Sequence, residues 1–303
     1  ELAEMGDMAE AGVVAFSDDG HYVENAAFMR RALEYSSMFN KMVIDHAEDI
    51  TLTKNGHMHE GIVSYELGVI GRPAVAEDLA VARDILLSEM TGGHIHIAHV
   101  SSKNTVDMVR RAKAKGLNVT CEVTSQHLSF TDEYLREYNP AFKMAPPIRS
   151  EDHRQALLEG LKDGTIDAII TDHAPHAYEE KDHEFCCAPN GFSGLETSLA
   201  AVITNAYGPD KLSIDQVVYY MSTRPAELMH LDAGVLEVGK PADITVFSTT
   251  EKWTVDRNKF YTKGKVSPFD GMTVTGKAKL TVVDGKIVMK ESRFFWVEGW
   301  AYM

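Results

Sequence analysis

The chain has 303 residues, 44% of them hydrophobic and 25% charged, a globular balance with enough apolar material for one large domain or one plus a small appendage. Thirty Lys and Arg against 45 Asp and Glu give a formal charge of −15, which works against a nucleic-acid role and leaves any anionic substrate to meet a few local cations. No apolar run reaches the roughly 20 residues of a membrane span. The acidic opening ELAEMGDMAE, with no basic and apolar regions, is not expected to act as a secretory leader. Three cysteines, Cys121, Cys186 and Cys187, cannot build a disulfide framework, so a cytoplasmic location is expected.

In chain order, short apolar strands alternate with amphipathic helices. A strand is expected over residues 12–17, followed by a helix in MRRALEYSSMF. The second strand covers 42–44. A loop from Asp49 to Arg72 leads to a helix opened by Pro73 and closed near Gly92 and Gly93. The third strand, 94–100, alternates, with Ile95 and Ile97 on one face. TVDMVRRAKAK is a helix stopped at Gly116, and 118–123 is the fourth strand. Ser150 is placed as the cap of a helix in EDHRQALLEGLKD, and 166–170 is the fifth strand. A capping box, Ser213-x-x-Gln216, opens a later helix. This alternation predicts a parallel sheet with helices outside, either an open sheet or part of a (β/α)8 barrel. From Gly234 the chain turns β-branched and turn-rich, with Asp284-Gly285 as a hairpin turn. The boundary divides a catalytic part, 1–233, from a β-rich appendage with an aromatic tail, 234–303.

The chemistry concentrates where strands end. Asp18-Asp19 follow the first strand, Asp45-His46 the second and Asp172-His173 the fifth, while His99 lies near the end of the third. In a parallel barrel those ends converge on one mouth. Carboxylates and imidazoles gathered there are the ligands of a divalent-metal hydrolase. His46 and His99 suit zinc, Asp19 can bridge two metals, and Asp172 can take a proton from a metal-held hydroxide and pass it to a leaving nitrogen. Asp18 and Asp45 read as helix caps or supporting partners. His57-Met58-His59 sits in a Gly-flanked loop with no strand before it. His94 and His96 differ from His99 in parity and read as core or supporting imidazoles. His127 is ambiguous, and Cys186-Cys187 has no base at motif spacing.

FSDDG, DHAED, HIAHVSS, CEVTSQHL, KMAPPIR, TDHAPH and GLET, in that order, resemble the bacterial dihydroorotases of the amidohydrolase superfamily. GVLEVGKPADITVF resembles the segment that returns from the barrel to a β-sandwich. The resemblance implies a metal-dependent (β/α)8 barrel holding two zinc ions. The implied reaction is reversible cyclisation of N-carbamoyl-L-aspartate to dihydroorotate in pyrimidine biosynthesis. By motif, Asp19 matches the bridging carboxylate, His46 and His99 the imidazole ligands of one metal, and Asp172 the general acid/base and metal ligand. His176 matches a substrate contact. Asn190 and Gly191 occupy the place of a Phe-Gly pair that meets the pyrimidine ring by its backbone, and Ala145 stands where relatives carry a substrate-binding Asn.

The family opens with His-x-His-x-x-Arg, which this chain lacks. Its first strand corresponds to the family's fourth. Only barrel strands four to eight and part of the sandwich are therefore expected, with weak metal retention and little activity for this polypeptide alone. A homo-oligomer or an association with aspartate transcarbamoylase fits the family. The alternatives are another cyclic amidase, a hydantoinase or allantoinase, and an inactive dihydroorotase-like structural partner.

Overall fold

The computed structural model describes residues 2–18 and 20–295. Five parallel strands, β1 (Ala15–Ser17), β2 (Met42–Asp45), β3 (Ile95–Ile97), β4 (Val119–Thr124) and β5 (Ala168–Ile170), pair in sequence order. Val43 lies opposite Ile95, Ile95 opposite Val119, and Val123 opposite Ile169. Those residues point to one face of the sheet and pack with Leu33, Val81, Val109 and Leu157 from the helices. Each such side chain, fully buried, contributes about 1.5–3 kcal/mol. The opposite face carries His96, Thr120, Glu122 and Thr124, a polar row that would line a barrel interior.

The helices on the apolar face include α1 (Ala26–Ser37), α2 (Val75–Thr91), α3 (Lys103–Ala114), α4 (Glu151–Lys162) and α5 (Ser198–Asn205). Asn25 caps α1, its side-chain Oδ1 accepting from Ala27 N at 2.9 Å. Gly92, at φ +73°, ends α2. Ser150 occupies the cap position of α4, but its hydroxyl donates to the Asp152 carboxylate at 2.5 Å and accepts no backbone N–H. The expected Ser150 cap bond is thus not made: the hydroxyl is oriented toward Asp152 rather than toward the free amides of the first turn. The Ser213–Gln216 box forms reciprocally, at 3.0 and 3.2 Å.

The strands are shorter than the hydrophobic runs. Gly12 turns the chain at φ +95°, so β1 starts only at Ala15. β3 stops at Ile97; Ala98 N still donates to Asp45 O at 3.1 Å, and His99, at φ +35°, turns the chain away. The alternation that set His94 and His96 against His99 therefore does not reach His99. The 49–72 loop also holds a strand that its sequence conceals. Met58–His59 pairs in parallel with Gly71–Arg72, against the expectation of a strandless loop around His57-Met58-His59.

The C-terminal part is a four-stranded antiparallel sheet: β6 (Ile244–Thr254), β7 (Thr273–Val283), β8 (Lys286–Lys290) and β9 (Arg293–Phe294). Asp284 (φ +48°) and Gly285 (φ +73°) form the two-residue turn between β7 and β8, both in the left-handed region such hairpins require. Of the aromatic tail, Phe294 lies against Tyr261 with ring centroids 4.3 Å apart. Residues 296–303 lie outside the described residues. Among the described residues no helix is long and apolar enough to cross a membrane.

Candidate active site

At the C-terminal ends of the parallel strands a cavity of about 370 Å³ opens. Its walls include His46, His99, Asp172, Ala145, Asn190 and Gly191. Six of the residues singled out from sequence thus meet in one hollow, although they are scattered along the chain from His46 to Gly191. His46 follows β2 by one residue, while His99 and Asp172 each follow their strand by two. His99 (φ +35°) and Asp172 (φ +41°) are both in the left-handed region, a state that costs a non-glycine residue about 1–3 kcal/mol and clusters at functional sites. Asp19, expected as the bridging carboxylate, lies outside the described residues.

His46 Nδ1 and His99 Nε2 approach to 2.9 Å, with their rings edge to face. As neutral rings, one donates and the other accepts. Two imidazole nitrogens this close are also donors of the type a divalent cation takes. Among the described residues no group of three or more His, Cys, Asp or Glu side chains is arranged to hold a metal ion. The described donors are therefore this imidazole pair and the Asp172 carboxylate on the same cavity.

His176 stands behind the wall rather than in it. Its Nε2 lies 2.7 Å from the Asn190 carbonyl and its Nδ1 3.2 Å from Glu180. Asn190 and Gly191 are held from below as well. Gly191 N donates to Lys143 O at 2.9 Å. The Lys143 ammonium is buried among the carbonyls of Phe185, Cys186 and Ala188, at 2.8, 3.1 and 2.7 Å. The neighbouring Lys181 donates to Pro189 O at 2.8 Å, and burial, with Lys143 adding repulsion, pushes its pKa down to about 8. Gly191 has φ +107°, and a Cβ there would fall 2.7 Å from that of Ala174, so only glycine brings this backbone to the cavity.

The motif reading missed Tyr22, Glu24, Glu48 and Arg72, which also line the cavity. Glu48 pairs with Arg72 at 2.5 Å and lies 3.7 Å from His46. Burial pushes the Glu48 carboxyl up, but the His46 imidazole and the Arg72 charge outweigh it and hold the group below its usual range. Glu48 had a signal, since it stands two residues after His46 within DHAED. Arg72 had none, because only the folded ribbon carries it to the rim.

Asp45 turns inward, against Arg83 at 3.4 Å and beside the buried Asp84. Burial raises both carboxyls, and their mutual repulsion raises Asp84 further. This matches its reading as a supporting partner. Arg83 in turn lies over the Tyr22 ring at 4.4 Å. His96 and His94 both bond Thr120 Oγ1 at 2.8 Å, and His96 lies 3.1 Å from Glu122. His127 is interior, bonded to Thr124 Oγ1 at 2.8 Å and Pro146 O at 3.2 Å, and burial lowers its pKa to about 3. It is a neutral structural imidazole. His59 packs on His153 and contacts Arg149 at 3.3 Å.

The amidohydrolase family model matches residues 2–288. The chain is 48% identical over 290 residues to the dihydroorotase of Syntrophus aciditrophicus, covering 96% of this chain and 68% of that protein. It is 50% identical over 289 residues to the dihydroorotase of Geobacter metallireducens, at 95% and 68% coverage. Among solved structures, the L-hydantoinase of Arthrobacter aurescens superposes with a TM-score of 0.86 at 29% identity, covering 97% of this chain and 68% of that one. A D-hydantoinase from Thermus sp. gives 0.84 at 24% identity over 98% of this chain and 68% of its own, a likeness of fold. The five parallel strands with their outer helices are thus part of an amidohydrolase barrel. The chain belongs to the amidohydrolase family and, within it, to the dihydroorotases.

Proposed function

We propose that this chain carries the ring-closing and ring-opening chemistry between N-carbamoyl-L-aspartate and dihydroorotate at the cavity of His46, His99 and Asp172. The observation that supports it most is the convergence of two imidazole nitrogens at 2.9 Å with a carboxylate on the same strand-end cavity. The donor chemistry fits zinc, held by His46 and His99 with Asp19 and Asp172 as the carboxylate partners, and two ions in the family's arrangement. When bound, a divalent ion supplies Lewis acidity toward an amide carbonyl and lowers the pKa of a water. Asp172 takes the proton released in ring opening and returns it to the ring nitrogen as that nitrogen leaves. Asn190 and Gly191 present backbone groups to the ring, and His176 fixes the Asn190 carbonyl. Ala145 leaves its part of the wall without an amide hydrogen bond to substrate.

The test is turnover of dihydroorotate, hydantoin and allantoin by the chain in excess zinc. The low activity of this polypeptide alone is expected to favour dihydroorotate, and Asp172→Asn to abolish it. Preference for hydantoin would move the chain to the other cyclic amidases, and an unchanged Asp172→Asn rate would remove Asp172 from proton transfer.

A further inference from the structure

Two charged side chains outside the cavity are buried where three of its loops meet. Glu77, in the first turn of α2, and Arg149, just before α4, are 3% exposed each. Glu77 Oε1 accepts from Ser101 N at 3.0 Å and from Ser102 N at 2.9 Å, and its other oxygen accepts from the Ser101 hydroxyl. Arg149 Nε donates to that same hydroxyl at 2.8 Å, and Nη2 lies 3.5 Å from Glu77. Arg149 Nη1 donates to Arg72 O at 3.1 Å. The pair therefore ties the turn after β3 to the ribbon strand that carries Arg72 and to the loop that follows β4.

The turn held this way is the one that bears His99, two residues before Ser101 and in the left-handed region. A strained backbone persists only where its surroundings over-determine it. Here a single carboxylate fixes two successive amides and a hydroxyl directly downstream. The chain of contacts runs on to the other imidazole, through Arg72 to Glu48 and so to His46. The Glu77–Arg149 pair thus braces the backbone two residues after His99 and touches the Arg72 strand, whose side chain pairs with the Glu48 beside His46.

We propose that Glu77 and Arg149 are positioning residues for the divalent-cation site: they hold the His99 turn so that its imidazole meets that of His46. This rests on the reading of His46 and His99 as metal donors. The experiment is titration of the chain with Co²⁺, followed by visible absorption and competition with a chelator. Glu77→Gln and Arg149→Lys are compared with Asp167→Asn, which breaks a buried ion-pair centre of Lys113 and Arg224 elsewhere in the fold. Glu77→Gln is expected to weaken Co²⁺ binding by about 10–100-fold and to change the absorption bands. Asp167→Asn is expected to lower the melting temperature without changing Co²⁺ affinity. Unchanged affinity in Glu77→Gln overturns the positioning role. Should Glu77→Gln fail to fold, Ser101→Ala, which keeps both amide bonds and loses the bridge to Arg149, carries the test with a smaller loss expected. His99→Ala separates the two levels: if it binds Co²⁺ like the parent chain, the donor assignment and this role both fall, and if it loses binding while Glu77→Gln and Arg149→Lys do not, only the role falls.

Discussion

His46 and His99 show how little a single residue needs to contribute once the fold has aimed it. Each leaves a parallel strand within two residues, and their nitrogens meet at 2.9 Å. Tight zinc sites use three or four convergent protein donors, whereas among the described residues no three such side chains are arranged to hold one ion. Weak retention is therefore expected of this polypeptide by itself: metal analysis after dialysis should find substoichiometric zinc, and His46→Ala should find less. Two tightly held zinc ions per chain would refute this. The motif residues His46, His99 and Asp172 were legible because carboxylates and imidazoles recurred at strand ends. Arg72 and Tyr22 were not, since neither has a periodicity that marks it.

At the scale of elements, the joint between α5 and β7 leaves no room for a side chain. Gly276 in β7 has φ +98°, and a Cβ there would stand 2.8 Å from Ile203 Cβ in α5. Its carbonyl accepts from Trp253 Nε1 at 2.8 Å, so the strand cannot simply back away. Gly276→Ala is expected to destabilise the chain by roughly 1–3 kcal/mol, read as a shift in urea midpoint with the slope unchanged. A neutral result would mean that the sheet and helix slide past each other freely. Turn chemistry was readable in advance at Asp284-Gly285 and at Ser213–Gln216, where local bonding decides the shape. Strand ends were not: the apolar runs at 12–17 and 94–100 overshoot β1 and β3, because the ladder stops where a neighbour ceases to pair.

For the whole molecule, burial of neutral imidazoles sets an acid limit. Burial pushes His59 and His127 down to about 3 and His94 to about 4, against an ordinary value near 6.5. Below pH 6.5 the unfolded chain takes up protons that the folded chain refuses, so this stability is present above that pH and is lost as pH falls toward the folded values. Asp45 and Asp84, raised by burial, act in the opposite sense over the acid range. The isolating measurement is therefore a variant comparison. The gain in urea midpoint between pH 5 and pH 7.5 should be smaller in His127→Asn than in the parent chain, and an equal gain would show that His127 titrates normally.

The residues alone determined the alternation of strand and helix, the parallel sheet and the membership of a metal-hydrolase family. Those rest on local periodicity and on motifs whose spacing survives without coordinates. Only the tertiary structure decided which imidazoles face the cavity and which are neutral filler, since His46, His59, His99 and His127 are chemically alike and differ in what packs around them. It also decided that Arg149, the last residue of KMAPPIR, closes against Glu77 beneath the His99 turn. Such a contact depends on three loops arriving together, and no one-dimensional pattern encodes that.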